Sequence, residues 1–598
     1  MGGLFIFYKV ELERNTKEIS IQKTTDLWKK RALVFSGFLI LFLVVGSSIA
    51  MADTGFSEQD KSLNIQKNVV DQPEDSPESA PKNPDFINYQ NNKIPSQTEV
   101  SLDGHKTGST PSPVDLSHLS SISSVNASFP AYYDLRTLNK VTPVKNQGNA
   151  GSCWAFATYG SLESCLKPGE TWDFSENNMK NLLSSAYSEG FDRDASEGGN
   201  MFMSTAYLSR WSGPVAESDD PYDPYSVTSS QNLPIKKHVQ NVILIPNRNG
   251  FLDNDEIKEA IQKYGAIDTA MCYNSNYYSP TTYGYHYSGT ASTNHDVTIV
   301  GWNDSFDMNK FSTVPPGNGA FIVRNSWGTD WGDNGYFYVS YYDSKIGKVY
   351  NGVFTAETSR NYKNSYQYDP LGWTSSMGYD SPSAWGANVF TANSNETLKA
   401  VSFYTTDSNC SYQIYIYTNQ SSGPINQAGP ILTKNGTATF AGYHTVPLGS
   451  PVQIQAGQKF SVVLELTTSG FGYPIAIEEP ISEWSSKAIA NSGESFFSSD
   501  GQIWSEMTIY FPNTNACIKA FTDPVLPVFS GYTNPPIDLN NDGLYEDING
   551  NGILDFGDVV AYYDNMNLIK ENTTVAFFDY NNNNLIDFDD VVKLFNTV

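Results

Sequence analysis

Pro143-Val-Lys-Asn-Gln147-Gly-Asn-Ala-Gly-Ser-Cys153-Trp-Ala-Phe156 is the stretch on which the fold turns. A glycine-rich loop runs into an apolar, helix-forming segment, and a lone cysteine stands at the junction. A helix N-terminus carries unpaired N–H groups and a partial positive charge. A thiol held there ionises more readily, and the thiolate is the nucleophilic form. Cys153 therefore stands where a chain would place an attacking sulfur. Such a sulfur needs a base, and the base needs a group to orient it. The chain has six histidines. His295 lies in Ser292-Thr-Asn-His295-Asp-Val-Thr-Ile-Val-Gly-Trp302, at the entry to a strand-like run. Asn325 follows in Asn325-Ser-Trp327-Gly-Thr-Asp-Trp-Gly332, beside an indole.

These three motifs, in this order, resemble the signature of papain-like cysteine peptidases over about residues 130–355. His295 follows Cys153 by 142 residues, inside the ~130–150 spacing of that family. The resemblance implies Cys153 as nucleophile, His295 as base and Asn325 as the acceptor that orients the imidazole. It further implies Trp327 as a shield over that hydrogen bond. Gln147, with the Cys153 N–H, becomes the oxyanion hole, and Gly198-Gly199 resembles the segment that lines the cleft against the substrate backbone. The family's cysteine three residues before the nucleophile is Ala150 here, and its partner position is Ser196, so one disulfide is missing as a pair. The residue after the histidine, usually small, is Asp296, which predicts negative charge near the specificity pocket and a preference for basic substrate side chains.

Composition agrees with an exported protein. Of 598 residues, 14% are aromatic and only 17% charged, and 37 basic against 64 acidic residues give a net charge of −27. That balance argues against nucleic-acid binding and suits carboxylate-rich calcium sites. Five cysteines, Cys153, Cys165, Cys272, Cys410 and Cys517, contain no C-x-x-C pair, so a zinc site is not expected. With Cys153 set aside, Cys165–Cys272 and Cys410–Cys517 disulfides and four free thiols both stand open.

Along the chain, residues 1–52 read as a signal-peptide region. Lys29-Lys30-Arg31 precedes an apolar run from Ala32 to Val45, and Ala50-Met-Ala52 has the spacing of a cleavage site. A retained membrane anchor is the other reading. Residues 53–128, rich in Pro, Ser, Asp and Asn, have too little apolar surface to offset ordering entropy and read as a largely disordered linker or pro-segment. Residues 129–355 pass from helical to strand-like runs, the order of an α+β domain with two lobes and a cleft. Residues 356–523 alternate as short strands, for example Tyr412-Gln-Ile-Tyr-Ile-Tyr417, and read as an all-β sandwich. Placed after such a peptidase, and with Tyr366–Trp373 and Gly472–Ile477, the sandwich is similar to lectin-like domains. Its aromatics either face a cell-surface glycan or fill the core and cover the catalytic domain. Residues 524–536 carry four prolines and read as a stiff linker.

Residues 537–598 repeat at an offset of 32: Asp547-Ile-Asn-Gly-Asn-Gly-Ile-Leu-Asp-Phe-Gly-Asp558 recurs as Asp579-Tyr-Asn-Asn-Asn-Asn-Leu-Ile-Asp-Phe-Asp-Asp590. Each has oxygens at positions 1, 3, 5, 7, 9 and 12 of an EF-type loop. The first offers Asp547, Asn549, Asn551, the Ile553 carbonyl, Asp555 and Asp558, and the second Asp579, Asn581, Asn583, the Leu585 carbonyl, Asp587 and Asp590. Asp538-Leu-Asn540-Asn-Asp542 precedes them as a possible extension. Two such loops with Asp at position 12 and short apolar helices resemble dockerin modules. That implies a small α-helical calcium module docking on a cohesin-type partner. The leading reading is a secreted cysteine endopeptidase, needing no cofactor for catalysis, tethered to an extracellular assembly. The rival is a catalytically silent adhesin or scaffold component on the same fold.

Overall fold

The computed structural model describes residues 76–92, 100–101, 104–119, 128–540, 542–572 and 575–598. The chain falls into two units, Met1–Asp71 and Gln72–Val598. The first, with the expected signal region 1–52, lies outside the described residues, and everything below concerns the second. Among the described residues no helix is long and apolar enough to cross a membrane.

The catalytic half has the two expected lobes. Helices Cys153–Leu166, Glu176–Leu182 and Met201–Ser209 form one. The first is buried on every side, with Trp154, Ala155, Tyr159 and Leu162 inaccessible, as befits a helix through the middle of a domain. The other two start on side-chain caps: Ser175 accepts the Asn178 N–H, and Asn200 those of Phe202 and Met203. The second lobe is a sheet around Ile267–Met271, His295–Asn303, Ala320–Arg324 and Tyr336–Ser340, whose apolar runs are buried on both faces.

The sandwich follows, but it is not a separate body. Strand Ala441–Ile454 pairs antiparallel with Lys237–Leu244 of the catalytic half, Ala441 opposite Leu244 and His444 opposite Asn241. This joins the two halves into one twelve-stranded sheet among the described residues. At the crossing stands Gly442, with φ 128°, where a Cβ would lie 1.9 Å from the Val242 carbonyl oxygen. Only glycine permits that approach. A six-stranded sheet, Leu432–Ala438 to Ser505–Glu506, covers the sandwich core. Ile414, Ile416 and Leu464 from it pack with Leu398, Val401 and Phe403. Of the aromatics in 366–373, Tyr366 is in that core and Trp373 is buried against Phe202 of the catalytic half, rings 5.6 Å apart. They fill and cover, and do not face a sugar.

Three expectations need correction. Residues 53–128 are not all disordered: Glu78–Ser79 adds a strand to Ser375–Gly378, helix Pro84–Asn91 buries Phe86 against Trp484, and residues 104–119 are packed in place. Backbone hydrogen bonds add to these few apolar contacts, the Ala80 N–H donating to the Ser376 carbonyl and the Asn83 N–H to the Pro113 carbonyl. Residues 524–536 are not a bare linker, since Leu526 and Phe529 are buried in the core of the C-terminal module. All five cysteines are free thiols, so neither disulfide forms. The C-terminal module holds helices Phe556–Asn572 and Phe588–Phe595 around Tyr562, Ile569, Phe578 and Leu594.

Candidate active site

Cys153 is the first residue of its helix and is fully buried. The backbone N–H of Asp296 points at its Sγ from 3.4 Å. Burial, and then the nearby Asp296 carboxyl, push the thiol well above its ordinary range. His295 opens the strand His295–Asn303 opposite Met271. Its Nε2 lies 2.8 Å from the Asn325 side-chain oxygen. Trp327 stacks on the imidazole at 4.6 Å and 21°, so water is kept from that hydrogen bond. Asn325 follows the strand Ala320–Arg324 and is fixed by its N–H to the Gly335 carbonyl, 3.0 Å. Gln147 is buried, its Nε2 donating to the Ala150 carbonyl at 2.8 Å and its Oε1 accepting from the Ser326 hydroxyl at 2.6 Å. That grip orients the amide and leaves its second N–H for an oxyanion. Ser326, which performs it, carries no sequence signal beyond its place beside Asn325.

The cleft is filled by residues 105–110. His105 stacks on Trp327 at 4.6 Å, and the Lys106 carbonyl accepts the Trp327 indole N–H at 3.0 Å. Gly108 and Ser109 both donate their N–H to the Asn294 carbonyl, 2.9 and 3.0 Å. The Gly199 N–H donates to the Gly108 carbonyl and the Thr110 N–H to the Gly199 carbonyl, each at 2.9 Å, in a parallel bridge. Gly199 therefore presents its backbone to the extended chain in the cleft, whereas the Gly198 carbonyl accepts from Arg193. Gly108 passes so close that a Cβ would lie 2.3 Å from the Gly151 carbonyl oxygen.

Beneath this strand lies a polar group that the sequence did not foreshadow apart from Asp296. Tyr350 donates its hydroxyl proton to the Asp296 carboxylate at 2.7 Å, and the Ser109 hydroxyl lies 3.1 Å from the Tyr350 oxygen. Asp268 accepts from Thr158 at 3.0 Å. Burial raises both carboxyls; the Asp296 charge raises Asp268 further, while the Ser109 and Tyr350 hydroxyls pull Asp296 back down.

In the C-terminal repeat the two loops are wired alike. Asp547 accepts from the N–H groups of Asn551 and Gly552, and Asp579 from those of Asn583 and Asn584. Asp558 accepts from Asn549 and Asp555, and Asp590 from Asn581 and Asp587. Position 6 is left-handed in both, Gly552 at φ 87° and Asn584 at φ 61°. Asp547, Asp558, Asp579 and Asp590 are buried, whereas Ile553 and Leu585 are exposed. Among the described residues no three His, Cys, Asp or Glu side chains are grouped to hold a metal ion.

Residues 129–356 match the papain family cysteine protease profile, and residues 365–522 the lectin like domain profile. A viral cathepsin of Choristoneura fumiferana defective polyhedrosis virus is 30% identical over 219 residues, 35% of this chain and 59% of the relative. Procathepsin L of Mus musculus is 30% identical over 221 residues, 35% of this chain and 60% of the relative. The chain thus spans about 60% of the length of these curated relatives. The cysteine protease and lectin-like domains of Cwp84, a surface layer associated protein of Clostridium difficile, share the fold. The TM-score is 0.63 and the identity 25%, over 75% of this chain and 99% of that one. A clostridial Cwp84 structure after propeptide cleavage gives 0.58 and 26%, over 66% and 99%. The chain carries a papain-family cysteine peptidase domain followed by a lectin-like domain.

Proposed function

We propose that this protein is a secreted or cell-surface cysteine endopeptidase, kept latent by its own residues 104–119. The observation that carries the catalytic reading is the His295–Asn325 hydrogen bond under Trp327, beside a thiol at a helix N-terminus. In the reaction, His295 takes the Cys153 proton through the ring nitrogen that Asn325 does not hold. The sulfur attacks the peptide carbonyl, and its oxygen, now negative, is received by the Cys153 N–H and the second N–H of Gln147. One such donor is worth about 3 kcal/mol in comparable sites. Collapse of the tetrahedral species expels the amine, which takes its proton from the imidazolium. Water activated by His295 then hydrolyses the thioester.

Latency is supported by the occupied cleft: residues 105–110 hold the backbone groups that a substrate would use, and Trp327 is capped by His105. With that strand in place the thiol is buried and held protonated. The test is hydrolysis of a peptide-aminocoumarin library by the full chain, before and after proteolytic removal of residues up to 128, beside Cys153→Ala. Cleavage that appears on removal, is lost in the variant and is blocked by a thiol-directed epoxide supports both parts. An inert protein after removal supports the silent adhesin instead.

For the C-terminal module the reading is a calcium-dependent anchor. Hard oxygen donors and two loops of identical hydrogen bonding suit calcium, which would be held by the Asp and Asn residues named above with the Ile553 and Leu585 carbonyls. Its partner face is supported by exposed apolar residues repeating at the same offset of 32: Phe556 and Phe588, Val560 and Val592, Tyr563 and Phe595. They interlock crosswise, Phe556 on Phe595 and Tyr563 on Phe588. A cohesin-type protein would cover this face. Pull-down on such a partner with calcium and with chelator tests it, and equal capture under both conditions rejects it. A glycan, if bound, would meet the outward face of the six-stranded sheet, where Trp385, Tyr415 and Trp504 are half-buried beside Glu465. Loss of glycan-array binding in Trp385→Ala tests that reading.

A further inference from the structure

Ser109 reveals what the cleft is built to hold. Its backbone is fixed by main-chain partners alone: its own N–H on the Asn294 carbonyl, and its two neighbours on Gly199. Any residue could therefore occupy its place, and the side chain there meets one pocket. The walls of that pocket are polar and almost wholly buried: Asp296 is 1% exposed, Tyr350 3% and Asp268 0%.

A proton inventory shows which polarity it wants. The tyrosine hydroxyl has one proton, and it goes to Asp296 at 2.7 Å. Toward Ser109, 3.1 Å away, the Tyr350 oxygen has only lone pairs to offer. With Asp296 ionised and holding the tyrosine proton, the serine is the donor. Asp296 and Asp268 each keep one buried oxygen that no protein group engages, so the pocket holds acceptors in excess. An apolar side chain would seal them off from water unpaired. Beside Tyr350 opens a cavity of about 140 Å³, also bounded by Phe202, Thr293 and Lys348.

We infer that the pocket occupied by Ser109 selects a substrate side chain that donates a hydrogen bond, a hydroxyl or an ammonium, with Tyr350 and Asp296 as its acceptors. This rests on the peptidase reading above. It also refines the expectation for Asp296, which acts as a buried acceptor behind a tyrosine.

The test is a library of isosteric pairs at each acyl-side position, Ser against Ala, Thr against Val and Lys against norleucine, presented to the full chain after activation by limited proteolysis. At one position the donor member should be favoured roughly ten-fold or more in kcat/KM. The Ser and Thr pairs report a hydroxyl, and the Lys pair an ammonium. Tyr350→Phe and Asp296→Ala should level the preference to under about three-fold while leaving the other positions alone. If Asp296→Ala fails to fold, Tyr350→Phe, which keeps the ring, carries the test. In the unprocessed full chain, Ser109→Ala should raise residual hydrolysis several-fold. An active enzyme that takes apolar members equally well or better overturns the inference and leaves the peptidase reading intact. An activated chain whose Cys153 reacts with a thiol alkylator in one aliquot, while the untreated aliquot cleaves no peptide, sinks the peptidase reading and this inference with it.

Discussion

The catalytic cleft and the C-terminal repeat solve positioning in opposite ways. In the cleft, Gln147, Cys153, His295 and Asn325 come from three separate stretches within 179 residues, and only the packed two-lobed fold brings them together. In the repeat, each candidate cation loop is a run of twelve residues whose geometry is set by its own backbone N–H groups. The first arrangement makes the site depend on the whole domain. The second lets a site be copied, as the offset of 32 shows, and fail alone.

That contrast can be broken experimentally. The largest effect belongs to the assembled site: Cys153→Ala should cost about six orders of magnitude in kcat, measured after activation, and leave the thermal transition unchanged. Next comes the packing that holds the halves together. Trp373→Ala, at a buried ring against Phe202, should destabilise the body by about 3–5 kcal/mol in denaturant unfolding. Because the core is shared, catalysis and sandwich should be lost in one transition. Two transitions would mean the halves are independent.

A smaller effect is expected from acid. Burial holds His444 and His238, both on the joining strands, down to about 4 against an ordinary 6.5. As pH falls, the unfolded chain takes these protons first. Stability is therefore complete above about 6.5 and drains away toward 4, by about 3 kcal/mol for each histidine. His444→Phe should flatten its share of the unfolding free energy between these limits. Smallest for catalysis is the repeat. Asp547→Ala or a chelator should weaken the module and partner capture, yet change kcat/KM for a short peptide by less than about two-fold. A larger change would show that the two regions are coupled after all.

What could be read from the sequence follows the same division. Cys153, His295, Asn325, Gln147 and Trp327 were legible because side-chain chemistry at known spacing marks them, and the two loops because their ligands lie within one run. The strand in the cleft was not, since Gly108, Ser109 and Gly199 are joined through main-chain atoms that every residue possesses. Nor was the shared sheet: nothing in Ala441–His444 names Asn241–Leu244 as its partner. Tyr350 and Asp268 look like ordinary residues of apolar strands until the fold sets them under Asp296. Leu526 and Phe529 were hidden among prolines that promised only stiffness.

The pairing of Ala441–His444 with Asn241–Leu244 also decides how the molecule bears load. If the C-terminal module is moored and the body is dragged by flow, tension enters through strand Ile518–Pro524, passes to Glu396–Thr405 and Ala441–Ile454, and reaches the lobe that carries His295. The strands run side by side, so on that premise their hydrogen bonds would share the pull between the mooring and the cleft.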